Sequence, residues 1–79
     1  MKSINELRKK IVEEKKYYEQ KIEEENKSEI KSLNYKDYLE KVKDLNDLLF
    51  MIGDYDELPE HIVDCFEVHL ERINKRLIL

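Results

Sequence analysis

Two histidines and one cysteine are the residues of this chain whose types could bind a metal ion. His61, Cys65 and His69 are spaced by four residues, so neighbours in the series share a helix face and could donate two ligands to zinc. All three together extend too far along a helix axis to hold one ion. In the competing interpretation His69 is a core histidine bonded to a tyrosine or carboxylate, and Cys65 packs at the edge of the core. We favour that interpretation, and we expect neither a metal nor a cofactor.

A run of acidic residues between positions 54 and 71 could carry electrostatic recognition. The run contains no lysine and no arginine, so it should produce a strong negative field. We define the acidic surface, a candidate partner-binding face, as Tyr55, Asp56, Glu57, Glu60, Asp64, Glu67 and Glu71. A basic protein partner would fit this surface, for example a nucleic-acid-handling protein whose phosphate contacts the carboxylates could mimic. The alternative is a solvated helix face, and the sequence leaves both interpretations open.

A basic segment with two adjacent tyrosines lies near the N-terminus. Its residues are Arg8, Lys9, Lys10, Lys15, Lys16, Tyr17 and Tyr18. Basic side chains can contact phosphates and tyrosine rings can stack on bases, so this segment could bind nucleic acid. Four glutamates between positions 6 and 19 leave it little net charge. An exposed helix stabilised by Glu–Lys pairs is therefore favoured, and nucleic acid is disfavoured as a partner.

The sequence contains no constellation typical of an enzyme. A nucleophile paired with a general base, a glycine-rich phosphate loop and a metalloprotease motif are all absent. The segment 4–11 and the triplet Asp44-Leu45-Asn46 are similar to the helical-hairpin aspartyl-phosphatases that act on sporulation response regulators. Val42 and Asn46 stand where that family carries serine and aspartate, so no catalytic role is carried over. We expect a non-enzymatic protein.

The elements that position these residues are predicted to be helices in one domain, residues 1–79. Of the 79 residues, 43% are charged, and there is one glycine and one proline, a composition that favours helices over strands. We predict helices over residues 3–32, 35–52 and 59–78. Ser3 and Glu6 fit a capping box, and Asn34 fits the next N-cap. Gly53 suits a helix C-cap.

The second predicted helix carries the most regular apolar pattern. Its apolar residues alternate by three and four, as in coiled-coil-like packing: Tyr35, Tyr38, Val42, Leu45, Leu49 and Ile52. Further apolar residues widen this arc and predict neighbours on two sides. The expected all-α fold is a three-helix bundle, or a helical hairpin plus a long N-terminal helix. We expect the second and third helices to form the antiparallel hairpin.

The length of the first predicted helix points to a second molecule. A continuous helix there would extend roughly 43 Å, beyond the reach of the hairpin. The predicted weak point is Asn26-Lys27-Ser28, where a bend is the alternative to a continuous helix. For a single chain, the alternative is a kink that folds the N-terminal turn back. The overhang of a continuous helix would leave one apolar set uncovered, close to the apolar end of the second helix. The predicted apolar interface is therefore Ile4, Leu7, Ile11, Phe50 and Met51, and the chain is expected to be a homodimer.

Composition and charge give the overall functional expectation. The formal net charge is −4, Cys65 is the single cysteine, and the longest apolar run, Leu48–Ile52, is too short for a bilayer. These features predict a cytoplasmic protein with no membrane segment. We expect a small acidic interaction module that docks on another macromolecule and regulates or inhibits it. The alternatives are a structural homo-oligomeric bundle and nucleic-acid binding through the basic segment.

Overall fold

The computed structural model describes residues 1–75, and within them the chain forms three α-helices and two short strands. In chain order these are β1 (Lys2–Ser3), α1 (Asn5–Asn26), α2 (Tyr35–Ile52), β2 (Glu57–Leu58) and α3 (Glu60–Lys75). The predicted all-α fold class is confirmed. The end of the third predicted helix, residues 76–78, lies outside the described residues. None of the helices within residues 1–75 is long and apolar enough to cross a membrane.

The start of α1 differs from the prediction. The capping box at Ser3 and Glu6 is wrong, because Ser3 lies in β1 and Ile4 occupies the N-cap position. The hydroxyl of Ser3 accepts only a long hydrogen bond, 3.4 Å, from the backbone N–H of Asn5. Strand β1 pairs antiparallel with β2, and Ser3 lies opposite Glu57. The pairing of β1 with β2, rather than a side-chain cap, therefore holds the chain in place where α1 begins.

The end of α1 also differs from the prediction, because the helix stops at Asn26 rather than at residue 32. Side chains hold the turn that follows. The carboxylate of Glu25 accepts hydrogen bonds from the backbone N–H of Ser32 at 2.8 Å and from its hydroxyl at 2.6 Å. The hydroxyl of Tyr35 donates to Asn26 Oδ1 at 2.8 Å. These contacts turn the chain back, so that α2 lies antiparallel along α1.

Helix α2 spans the predicted residues, Tyr35–Ile52. Asn34 occupies the N-cap position, although its side chain makes no capping hydrogen bond within the described residues. Gly53 ends the helix with φ 58° and ψ −137°, and its N–H donates to the Leu49 carbonyl at 3.0 Å. Residues with a side chain rarely adopt such a φ, so glycine ends the helix here without strain.

The core lies where α1, α2 and α3 meet. Its buried apolar residues are Ile4, Leu7, Ile11, Tyr18, Leu45, Leu48, Ile52, Val63, Leu70 and Ile73. The most extensive helix contact joins α1 and α2, whereas the sequence assigned the hairpin to α2 and α3. From the predicted seam, Leu45 and Ile52 are fully buried, and Tyr38, Val42 and Leu49 are half-buried against the core.

The apolar pattern of α2 does not predict its buried lysine. Lys41 is only 2% exposed. Its Nζ lies 3.4 Å from Asp37 Oδ2 and 4.9 Å from the centroid of the Tyr18 ring. The 3.4 Å distance makes an ion pair, although Asp37 Oδ2 has no partner in hydrogen-bond geometry within the described chain. A cation over a tyrosine face and beside a carboxylate recovers part of the cost of desolvating the lysine.

Candidate functional site

The connection between α2 and α3 carries the first part of the acidic surface, and the N-terminal segment holds it in place. Arg8 Nη2 donates to the carbonyl oxygens of Gly53 at 3.0 Å and Tyr55 at 2.6 Å. The backbone N–H of Ile4 donates to the carbonyl of Asp56 at 3.0 Å. Strand pairing between β1 and β2 secures the end of the connection. The acidic side chains of this connection therefore project from an ordered backbone.

All seven residues of the acidic surface are exposed, but two of them have cations beside them. Lys2 Nζ lies 3.9 Å from Glu67 Oε1. Lys75 donates a hydrogen bond to Glu71. That hydrogen bond and the charge of Lys75 lower the pKa of Glu71 below its usual value, and the charge of Lys10 lowers it further. Glu67 and Glu71 therefore form a charge-balanced edge of the surface.

A groove of about 690 Å³ lies along this edge, between α1 and α3. It is lined by Glu6, Leu7, Lys9, Lys10, Glu13, Glu67, Leu70, Glu71, Asn74 and Lys75. Four carboxylates and three ammonium groups thus face each other above two leucines. Small-molecule sites have mostly apolar and aromatic walls with a few polar groups, whereas seven of the ten residues that line this groove are charged. It does not add a ligand site to the acidic surface.

The remaining carboxylates of the acidic surface, together with the neighbouring Asp54, lie on the connection and on the first half of α3. We call Asp54, Asp56, Glu57, Glu60 and Asp64 the acidic end. All five are exposed, and within residues 1–75 none of them has an ion-pair partner. Charges of one sign on neighbouring residues raise the local potential, and the guanidinium of Arg8 on the backbone of the connection offsets only part of it. The acidic end is therefore the part of the acidic surface best suited to attract a cationic partner.

The predicted apolar interface is wrong in its N-terminal part. Ile4 and Ile11 are 0% exposed, and Leu7 is 6% exposed, so all three belong to the core. Helix α1 does not extend beyond its neighbours as predicted, because it begins at Asn5 and ends at Asn26. It is therefore roughly 33 Å long instead of 43 Å. The pairing of β1 with β2 and the packing of α3 then cover these residues within a single chain.

The C-terminal part of the predicted interface is exposed. Phe50 is 88% and Met51 is 58% exposed, and Tyr55 on the following connection is 63% exposed. Phe50 lies on the side of α2 that faces away from the core. Exposed aromatic side chains close in the chain to carboxylates are the kind of anchor that protein interfaces use.

The residues considered as metal ligands do not form a site. His61, Cys65 and His69 are all exposed, so the placement of His69 in the core is wrong. His69 instead lines a groove between α2 and α3 with Arg72 and Asp47. Within residues 1–75, no three histidine, cysteine or acidic side chains are grouped so that they could hold a metal ion.

The fold disperses the basic segment of α1. Arg8 is committed to the connection after α2. Lys9 and Lys10 line the groove opposite glutamates of α3. Tyr18 is buried at 8% exposure, whereas Tyr17 is 54% exposed. The segment therefore does not present one continuous basic and aromatic face, and this weakens the nucleic-acid alternative.

A second exposed surface, which the sequence reasoning missed, lies at the far end of the molecule. We call residues 27–36 the tip; their charged members are Lys27, Glu29, Lys31 and Lys36, and the carboxylates that flank them are Glu23, Glu24, Glu25 and Asp37. Ile30 is 85% and Leu33 is 87% exposed. Hydrogen bonds from Ser32 order the tip and lower the pKa of Glu25.

Comparison with known proteins adds no family to these observations. No family model matches the chain, and neither a curated protein nor a solved structure matches it. The functional interpretation therefore depends on the geometry and charge of the chain itself.

Proposed function

We propose that this protein is a non-enzymatic interaction module that docks on a basic macromolecule through its acidic end and thereby regulates or inhibits it. One observation carries the proposal. The five carboxylates of the acidic end are exposed without ion-pair partners within residues 1–75, and they lie close in the chain to exposed Phe50 and Tyr55. Carboxylates without ion-pair partners close in the chain to exposed aromatic side chains combine electrostatic steering with anchoring groups.

The two kinds of group would act at different stages of binding. The carboxylates raise the association rate with a cationic surface, and salt screens this effect. Phe50 adds affinity after contact, since burying a large apolar side chain contributes about 1.5–3 kcal/mol. Arg8 keeps the connection ordered before binding, which reduces the entropy lost on docking.

The proposed partner is a basic protein, and one that handles nucleic acid fits the regulatory role best. Such a protein carries lysine and arginine clusters that neutralise phosphates. Glu60 and Asp64, both exposed, lie one helical turn apart on α3. They could bind the same lysine and arginine side chains of the partner that otherwise bind phosphates. Nucleic acid and this module would then compete for one surface. The exposed thiol of Cys65 suits a reducing compartment, and we place the protein in the cytoplasm.

The proposal is tested with matched charge reversals on two helices. The test variant E60K/D64K reverses two exposed carboxylates four residues apart on α3. The control variant E19K/E23K reverses an equally spaced exposed pair on α1 and has the same net charge. Tagged wild-type protein and both variants are used to capture partners from the native cell, and the captured protein is then purified for direct binding measurements.

The expected result is selective loss in the test variant. E60K/D64K should weaken binding of the purified partner by about tenfold or more, whereas E19K/E23K stays within about twofold. Wild-type binding should also weaken as salt is raised. Equal binding by the two variants, with both folded by circular dichroism, would show that the acidic end is not the docking surface.

A further inference from the structure

The buried residues of this chain are unevenly distributed along it. Residues 19–40, all of which the structure describes, include none that is buried. Their apolar side chains nearest the core, Ile22 and Tyr38, are half-buried. We call residues 19–40 the arm, and residues 1–18 and 41–75 the body. Because the buried apolar side chains all belong to the body, the hydrophobic effect stabilises the body far more than the arm.

The two helices are weakly terminated within the arm. The last turn of α1 carries Glu23, Glu24 and Glu25 and no basic residue. Carboxylates at this end face the negative pole of the helix dipole, which destabilises the turn. At the start of α2, the side chain of Asn34 makes no capping hydrogen bond within the described residues. The arm also has seven carboxylates and four lysines, so its charges repel one another on balance.

Hydrogen bonds at the surface hold the turn of the arm together. Glu25 accepts two hydrogen bonds from Ser32, at 2.8 and 2.6 Å, and Tyr35 donates one to Asn26 at 2.8 Å. All three are exposed, so water competes for the same groups and the net contribution of each bond is small. The turn is therefore ordered by contacts that can break without disturbing the core.

Closing the arm on the body buries an ion pair. Lys41 of the body lies with its Nζ 3.4 Å from Oδ2 of Asp37 in the arm, and the two side chains are 3% and 15% exposed. Taking two charges out of water costs free energy that their attraction repays only in part. Opening the arm returns both charges to water, so this contact opposes opening much less than an apolar contact of the same size would.

From these observations we infer that the arm opens as a separate unit while the body stays folded. Proteins open in cooperative units, and the units with few buried apolar contacts open most readily. The open form uncovers the ring of Tyr18, which is 8% exposed when the arm is closed. The acidic end belongs to the body and keeps its structure. The inference therefore goes beyond the proposed function, and its test needs no partner.

Native-state hydrogen exchange, measured for each amide at increasing urea concentration, tests this opening. Helix α2 runs from the arm into the body, so it provides an internal comparison. The amides of residues 22–26 and 38–40 should share one opening equilibrium, at least about 100-fold more favourable than the one that exposes residues 45–49. Its urea dependence should be less than about half of that for global unfolding, because a smaller surface is exposed.

Three variants separate the arm from the body. Ile52→Val shortens a fully buried side chain of the body. It should speed exchange of residues 45–49 by about two- to tenfold and leave residues 38–40 unchanged. Glu25→Ala removes both hydrogen bonds to Ser32 and should speed exchange of both sets by the same factor, about three- to tenfold, because it destabilises the fully closed form. Glu23→Ala, an exposed carboxylate of the same turn, is the matched control and should leave both sets within about twofold.

Two results would overturn the inference. If Ile52→Val speeds exchange of residues 38–40 as much as that of residues 45–49, the arm and the body unfold together. If exchange in the arm is independent of urea and slows steadily from the turn towards the body, the helix ends fray one amide at a time and no unit opens.

Discussion

Replacing Arg8 with alanine is the most direct test of how the acidic end is held. The guanidinium of Arg8 reaches from the first turns of α1 to two carbonyl oxygens of the connection after α2, those of Gly53 and Tyr55. The substitution removes both hydrogen bonds and leaves the two carbonyls to water. Residues 53–55 should loosen, and the neighbouring pairing of Ile4 N–H with the Asp56 carbonyl should become less protected.

The size of the effect follows from the two hydrogen bonds. A hydrogen bond from a charged donor contributes about 1.5–3 kcal/mol when it is shielded from water. Arg8 is only partly buried, so about 1 kcal/mol for each bond, roughly 2 kcal/mol in total, is the expected loss. For a 79-residue chain, an unfolding entropy of about 2.1 cal/mol/K per residue converts this loss to roughly 12 °C in Tm.

Thermal and urea unfolding measure this loss, with two further variants as references. Arg8→Lys keeps the positive charge but replaces the planar guanidinium with a single ammonium group. It should therefore lose about half as much stability, roughly 1 kcal/mol. Lys9→Ala, at the next and exposed position, should change stability by less than about 0.5 kcal/mol. Hydrogen exchange should be faster at the Ile4 amide in Arg8→Ala. If Arg8→Ala loses no more stability than Lys9→Ala, Arg8 does not hold the connection after α2.

Three further perturbations have defined outcomes. Gly53→Ala should cost about 1–2 kcal/mol in thermal unfolding because of its φ of 58°, since the nearest atom to an added Cβ is an ordinary 3.9 Å away; an unchanged Tm would contradict this. Hydrogen bonds from Ser32 lower the pKa of Glu25 below 4.5, so this group stabilises the fold above pH 4.5 and loses its effect as the pH falls through its folded pKa. Glu25→Gln should flatten that part of the pH–stability curve, and a wild-type slope in the variant would exclude the linkage. Lys41→Met should destabilise by about 1–3 kcal/mol because it leaves the Asp37 carboxylate without its cation, and Asp37→Asn should recover part of that loss in the double variant; independent effects of the two changes would refute the pairing.

The sequence predicted the helical architecture because its strongest local signals agree with the final packing. The three-and-four spacing of α2 lies between Asn34 and Gly53, and α2 occupies Tyr35–Ile52 as expected. The end of α1 could not be read in the same way. Lys27 still lies at helical spacing from Glu23, whereas the turn depends on Glu25 meeting Ser32 seven residues later. A side-chain contact of this kind leaves no periodic pattern.

The candidate site was predicted only in outline. The acidic run from position 54 is visible as composition, and its carboxylates are exposed. Its division into a balanced edge and the acidic end depends on tertiary neighbours, for example Lys2 beside Glu67. Arg8 illustrates the same limit, since its carbonyl partners lie 45 and 47 residues away in the chain. From its residue type alone, Arg8 was predicted to belong to the basic segment of α1.

The distribution of apolar side chains favours the two ends as contact surfaces. A 79-residue chain buries a small fraction of its surface and has little stability in reserve. Nevertheless Phe50, Ile30 and Leu33 are each at least 85% exposed, while Lys41 occupies the interior. Each of these apolar residues would contribute about 1.5–3 kcal/mol if it were buried. Isolated exposed apolar residues are common on proteins, but these three lie near the two ends of α2, where burial against a second molecule would recover this free energy.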